Sequence, residues 1–190
     1  MSFSAQDAKR LLLPVVAMGL VILLSNIAVG YPIQHVLGGI DLAELLTYGA
    51  LTYPICFLVT DTTNRLFGAA DARKVVYVGF ALGVALSFAF GEPRIAAASG
   101  TAFLIAQLLD VAIFDRLRRG AWWQAPTISS FFGSAVDTAL FFSIAFVNTP
   151  VPWVTLAMGD FVAKLAMIAV LLYPFKLLVA LYPAQLRTAG

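Results

Sequence analysis

The sequence predicts an all-α integral membrane protein with six transmembrane helices and both termini in the cytoplasm. Three observations carry that expectation. Of 190 residues, 61% are hydrophobic and 12% charged, with a mean hydropathy of +0.92. The apolar residues gather into six runs of spanning or nearly spanning length, and Lys and Arg collect in alternate connections. A soluble domain of this size needs a charged outer shell, which this composition does not supply.

A spanning helix needs roughly 17–25 mostly apolar residues, and the runs fall at 11–31, 42–60, 75–90, 95–114, 126–147 and 154–182. The first follows Lys9 and Arg10, as a secretory signal does. Its apolar stretch is long, however, and no small-x-small cleavage site follows Asn26-Ile27-Ala28, so it reads as a retained helix. The second opens near Glu44 and ends in a polar cluster around Asp61, Asn64 and Arg65. The third is short for a span. In the fourth, Gln107 and Asp110 lie three apart and share a face; in the fifth, Ser130, Ser134 and Asp137 do so at spacings of four and three. The sixth carries Asp160 and Lys164 four apart, and its length suits tilting or a surface course beyond Pro174.

Ten of the twelve Lys and Arg lie at the N-terminus, in the second and fourth connections or near the C-terminus. The exceptions are Arg94 and Lys164. By the positive-inside rule that side is cytoplasmic, so the basic balance reports topology and not nucleic-acid binding. All connections are short, which predicts one six-helix domain (1–190) with no extramembrane module. Cys56 is the single cysteine and His35 the single histidine. No nucleotide fingerprint, zinc pattern or nucleophile elbow appears, and no enzyme, cofactor or metal is expected.

Four helices supply a carboxylate each, Asp61, Asp110, Asp137 and Asp160, with only Arg65 and Lys164 as nearby counter-charge. Each such residue at mid-membrane costs roughly 2.5–3.5 kcal/mol on insertion scales, so their repetition argues for a shared polar cavity. Blander readings stand beside it. Asp160 with Lys164 reads equally as a neutralising pair that makes a charged helix insertable, and Asp61 with Arg65 as an interfacial ion pair. Trp122 and Trp123 read as an aromatic belt, and Ser129, Ser130, Gly133 and Ser134 as small residues for close helix packing.

Several motifs together carry a resemblance. They are the stretch from Phe57 to Gly68 with Ala72-Arg73, Gln107 to Val111 with Phe114, Arg116-Leu117-Arg118, Trp122-Trp123 with Ala125-Pro126-Thr127, Phe132-Gly133, Asp137-Thr138, and Asp160 with Lys164. In this order they resemble the queuosine precursor transporter family, also called the vitamin uptake transporter family, over nearly the whole chain. The resemblance implies a multi-pass protein of the bacterial inner membrane that imports 7-cyano-7-deazaguanine, with the 7-aminomethyl base as a relative, for queuosine salvage in tRNA. It also implies a six-helix fold similar to the substrate-binding subunits of energy-coupling-factor transporters. The chain departs from the family pattern in the short connection from Gly91 to Arg94 and in Glu44.

A deazaguanine presents a ring N–H and an exocyclic amine side by side, which one carboxylate accepts through two parallel hydrogen bonds; its carbonyl needs a donor. The expected substrate-binding residues are therefore Asn26, Gln107, Asp110, Ser130, Asp137, Asp160 and Lys164. Tyr53, Phe57, Phe131, Phe132 and Trp123 are the candidate ring faces. Asp61, Asn64 and Arg65 are expected to form a cytoplasmic gate or coupling group. The expected partners are the small base and the lipid bilayer, with no nucleic acid. Oligomeric state and energy coupling stay open, as do import of another small heterocycle and a non-transport membrane subunit.

Overall fold

The computed structural model describes residues 5–90 and 93–182, without the side chains of 5–8, 37, 40, 44 and 87–90. Its helices in chain order are α1 (Ala5–Ala28), α2 (Tyr48–Thr52), α3 (Ile55–Phe67), α4 (Ala69–Phe90), α5 (Pro93–Leu117), α6 (Gln124–Phe146) and α7 (Trp153–Leu181). Among the described residues, four helical stretches are long and apolar enough to cross a membrane: Lys9–Ala28, Pro93–Leu117, Gln124–Phe146 and Trp153–Leu181.

Helix α3 sits at the centre, in contact with α1, α4, α5, α6 and α7, while α5 lies along α6. Large apolar side chains point outward, as along α7 with Val154, Met158, Val162, Val170 and Tyr173, the last 75% exposed. Polar ones point inward: Thr60, Asp61, Asn64, Gln107, Asp110, Asp137 and Lys164 are all buried. This inversion of the water-soluble pattern suits a hydrocarbon solvent, and the chain is an all-α membrane protein.

The run expected as one helix over 42–60 is broken. It comprises a 3₁₀ turn at Leu42–Glu44, the short α2, and α3, separated at Tyr53-Pro54. Pro54 has no N–H and its ring crowds the preceding turn, which ends α2 despite the apolar sequence. At its other end α3 continues beyond Thr60 to Phe67. Asp61 is thus inside the helix and 2% exposed, correcting the expectation that it closes one. Glu44 has no described side chain, and Gly91 and Glu92 lie outside the described residues.

Between α3 and α4 the only linker is Gly68, at φ 90 and ψ 169, a conformation essentially reserved for glycine. Gly68→Ala is expected to destabilise the protein by about 1–3 kcal/mol. The fall in thermal unfolding temperature of the purified protein in detergent measures it.

Contacts place the basic helix ends together. Arg10 of α1 pairs with Asp71 of α4, which also receives Lys74 at 3.0 Å. Arg65 of α3 donates to the Arg118 carbonyl after α5, and Lys176 of α7 lies 4.9 Å from the Trp122 ring before α6. At the opposite end, a small hairpin pairs Val36–Leu37 with Ile40–Asp41 through Gly38 and Gly39, both at positive φ. There Arg94 donates to the carbonyls of Ile144 at 2.9 Å and Val147 at 2.6 Å, where the end of α6 leaves acceptors free.

Candidate functional site

The polar interior resolves into two layers. On α6, Ser130 and Asp137 are seven residues apart, so the layers are separated by about 10 Å along that helix.

The first layer joins α6 to α7. Asp137 and Thr138 face Asp160 and Lys164, which α7 presents one turn apart. Lys164 Nζ donates to Asp137 Oδ2 at 2.7 Å, Asp160 Oδ2 at 2.5 Å and Thr138 Oγ1 at 3.1 Å, so all three of its protons are used. Thr138 Oγ1 in turn donates to Asp160 Oδ2 at 2.8 Å. The Tyr53 ring, at the break between α2 and α3, has its centroid 5.7 Å from the ammonium. The ammonium is saturated but the carboxylates are not. Two negative groups share one cation, and these bonds engage only the Oδ2 atom of each. Lys164 is 4% exposed, while the Asp160 side chain keeps 15% of its surface open.

The second layer joins α3, α5 and α6 nearer the basic end. Ser129 Oγ donates to Asp61 Oδ1 at 3.4 Å and Ser130 Oγ to Asp61 Oδ2 at 3.3 Å. Asp110 of α5 lies against Asp61 and the two serines, fully buried. Gly133 makes this approach feasible: a Cβ there would sit 2.7 Å from Phe57 Cε1 and 3.4 Å from Asp110 Cβ. Asp61 and Ser130 also line a cavity of about 20 Å³, walled by Pro54, Phe57, Pro126, Phe175 and aliphatic residues of α7.

Other side chains fix the register of α3 on α5. Thr60 Oγ1 donates to Gln107 Oε1 at 2.6 Å, and Asn64 Nδ2 to the Val111 carbonyl at 3.1 Å. Arg65 lies over the Phe114 ring at 5.2 Å as well as donating to the Arg118 carbonyl. No ion pair joins it to Asp61 in the described structure. The long guanidinium instead reaches an acceptor left free at the end of α5, where a cation is favoured.

The expected single cavity is therefore divided. Asp137, Asp160 and Lys164 form one layer, while Asp110 and Ser130 stand with Asp61 in the other, and Gln107 is tied to Thr60. Asn26 joins neither: its Nδ2 donates to the Ile22 carbonyl of its own helix at 2.8 Å, and it lines a separate cavity between α1, α4 and α5. Thr138 and Ser129 belong to the layers and were absent from the expected site. Their adjacency to Asp137 and Ser130 was the available signal.

The family described as "Putative vitamin uptake transporter" matches residues 47–92 and 84–179. A Haemophilus influenzae protein named "Probable queuosine precursor transporter" is 40% identical, covering 67% of this chain and 66% of the relative. The Escherichia coli "Queuosine precursor transporter" is 35% identical, covering 67% and 70%. A Bacillus subtilis "Probable queuosine precursor transporter" is 29% identical over 54% and 57%. The chain spans about two thirds of the length of the first two. No solved structure matches.

Proposed function

Because the chain belongs to the vitamin uptake transporter family, we propose that it imports a queuosine precursor base, 7-cyano-7-deazaguanine, across the bacterial inner membrane. The relatives' names supply the substrate class, and the observation that carries the site is the charge imbalance of the α6–α7 layer. Two carboxylates there share one saturated lysine, leaving acceptor oxygens for a ligand that brings N–H donors. The base offers its ring N–H and amine to Asp137 or Asp160 in parallel, and its carbonyl to Lys164. Tyr53, already facing Lys164, supplies a ring surface.

In this reading the network is a latch as well as a site. The base takes over bonds that Lys164 and the aspartates now make with each other, so α7 parts from α6 to admit it. The break at Pro54, beside Tyr53, lets α2 and α3 move separately, as discontinuous helices do in other transporters. The topology we propose is one domain of six spans, with α2 and α3 sharing one crossing and both termini cytoplasmic. Its architecture resembles the substrate-binding subunits of energy-coupling-factor transporters. The family's description as a vitamin transporter favours a second reading, import of another small heterocycle through the same layer.

Uptake decides between them. Cells unable to make the precursor and lacking their own importer are expected to accumulate labelled 7-cyano-7-deazaguanine, and to restore queuosine in tRNA, only when this chain is expressed. Equal accumulation with and without the chain rejects the proposal, and competition by a vitamin but not by deazaguanines selects the second reading.

A further inference from the structure

We propose that Asp61 and Asp110 form a buried acid pair holding one proton, and that this proton is the ion moved during import. The second half rests on the import reading; the first does not. Asp61 is 2% exposed and Asp110 0%, and their carboxyl groups lie within hydrogen-bonding reach of each other.

No Lys, Arg or His among the described residues pairs with either. On α3 the nearest cation, Arg65, makes no ion pair with Asp61: its Nη1 donates to the Arg118 carbonyl and the guanidinium lies over the Phe114 ring. On α6 the facing groups are the serines, and Asp137 farther along is held by Lys164. Helix α7 presents aliphatic and aromatic side chains, and α1 packs apolar residues on α3. Asp71 of α4 is bound to Arg10 and Lys74 at the basic end.

The donor count then calls for a proton. The hydroxyls of Ser129 and Ser130 reach Asp61 at 3.4 and 3.3 Å and also lie against Asp110, so these two donors face four carboxylate oxygens. An ionised carboxylate only accepts, whereas a protonated one has an O–H to give. One proton shared between Asp61 and Asp110, donated by the carboxyl that holds it to the other, satisfies the pair. Two ionised carboxylates would instead stand side by side in a low-dielectric interior with no cation paired to either.

One member of the pair borders space for water. Asp61 lines the cavity of about 20 Å³, room for a water, while Asp110 is sealed behind it. In a transport cycle one O–H bond forms on the pair with a proton from water on one side, and that bond breaks to return the proton to water on the other.

Infrared spectroscopy of the full chain in lipid nanodiscs, without substrate and in sodium-free buffer at neutral pH, tests the pair. The expected result is a carbonyl band of a protonated carboxylic acid that shifts in heavy water, disappears with alkali and is lost or shifted in Asp110→Asn and in Asp61→Asn. No such band in the wild type, or a band untouched by both Asp110→Asn and Asp61→Asn, overturns the pair. Loss of the band when sodium is added at the same pH overturns it in favour of that ion. In proteoliposomes, accumulation of labelled 7-cyano-7-deazaguanine is expected to rise about tenfold per unit of imposed pH gradient, the ratio set by one proton per base, with no response to sodium. Uptake indifferent to the gradient overturns the coupling. An intact band with no uptake under any gradient defeats the import reading instead and leaves the acid pair standing.

Discussion

Lys164→Met is expected to cost about 3–5 kcal/mol of stability and to abolish uptake, the largest single-residue effect in the molecule. Removing this ammonium leaves Asp137 and Asp160 buried on adjacent helices with no cation between them. Thr138 is left as their nearest donor. A loss this large comes from stranding the partners and not from the worth of the ion pair itself, because a fully neutral network of similar shape is often no less stable. Combining Lys164→Met with Asp137→Asn and Asp160→Asn is therefore expected to recover most of the thermal stability while leaving uptake absent. Thermal unfolding in detergent and uptake in vesicles, measured on both proteins, separate the two roles. Stability unchanged in Lys164→Met would mean that the network carries no buried charge.

Asp137→Asn together with Asp160→Asn is expected to lower base binding by roughly 100-fold or more, and also to lower the unfolding temperature, because Lys164 is left buried with no carboxylate beside it. Each substitution keeps the side-chain volume and replaces a charged acceptor with an amide that offers one acceptor and two donors. Hydrogen bonds to charged groups are worth about 1.5–3 kcal/mol, so two such losses at one ligand edge exceed 2.7 kcal/mol, a factor of roughly 100. The check is equilibrium binding of labelled 7-cyano-7-deazaguanine to the purified variant, with its unfolding temperature confirming the fold. Binding within threefold of the wild type would remove both carboxylates from recognition.

The parts of this arrangement differ in how plainly the sequence announces them, for physical reasons. Asp160 and Lys164 are legible because four residues is one helical turn, and because charges deep in an apolar run are costly unless used. Asp137 is legible on the second ground alone. The continuation of α3 to Phe67 is not: an average over the run falls where Asp61, Thr63 and Asn64 begin, and cannot tell a helix end from a polar face covered by α5 and α6. Pro54 stands inside an apolar run of spanning length, and hydropathy alone does not register the break that its missing N–H imposes.

The two layers are hidden for a different reason. Which residue of α5 meets which of α6 depends on close packing such as that of Phe57 over Gly133, and no spacing within one helix encodes it. The same applies to Arg65. Its position opposite Asp61 on one helical face suggested a pair, but a side chain of that length reaches the end of α5 instead.

The central claim, that a base edge with two adjacent N–H donors is read by the carboxylates of the α6–α7 layer, is met most directly by one comparison. The dissociation constant of 7-cyano-7-deazaguanine is measured against that of the same base lacking its exocyclic amine, on the wild type and on the doubly substituted Asp137→Asn, Asp160→Asn protein. The wild type is expected to prefer the amine-bearing base by about 10–100-fold, the value of one hydrogen bond to a charged group, and the variant to show little preference. A preference of equal size in both proteins would place recognition of the amine elsewhere in the molecule.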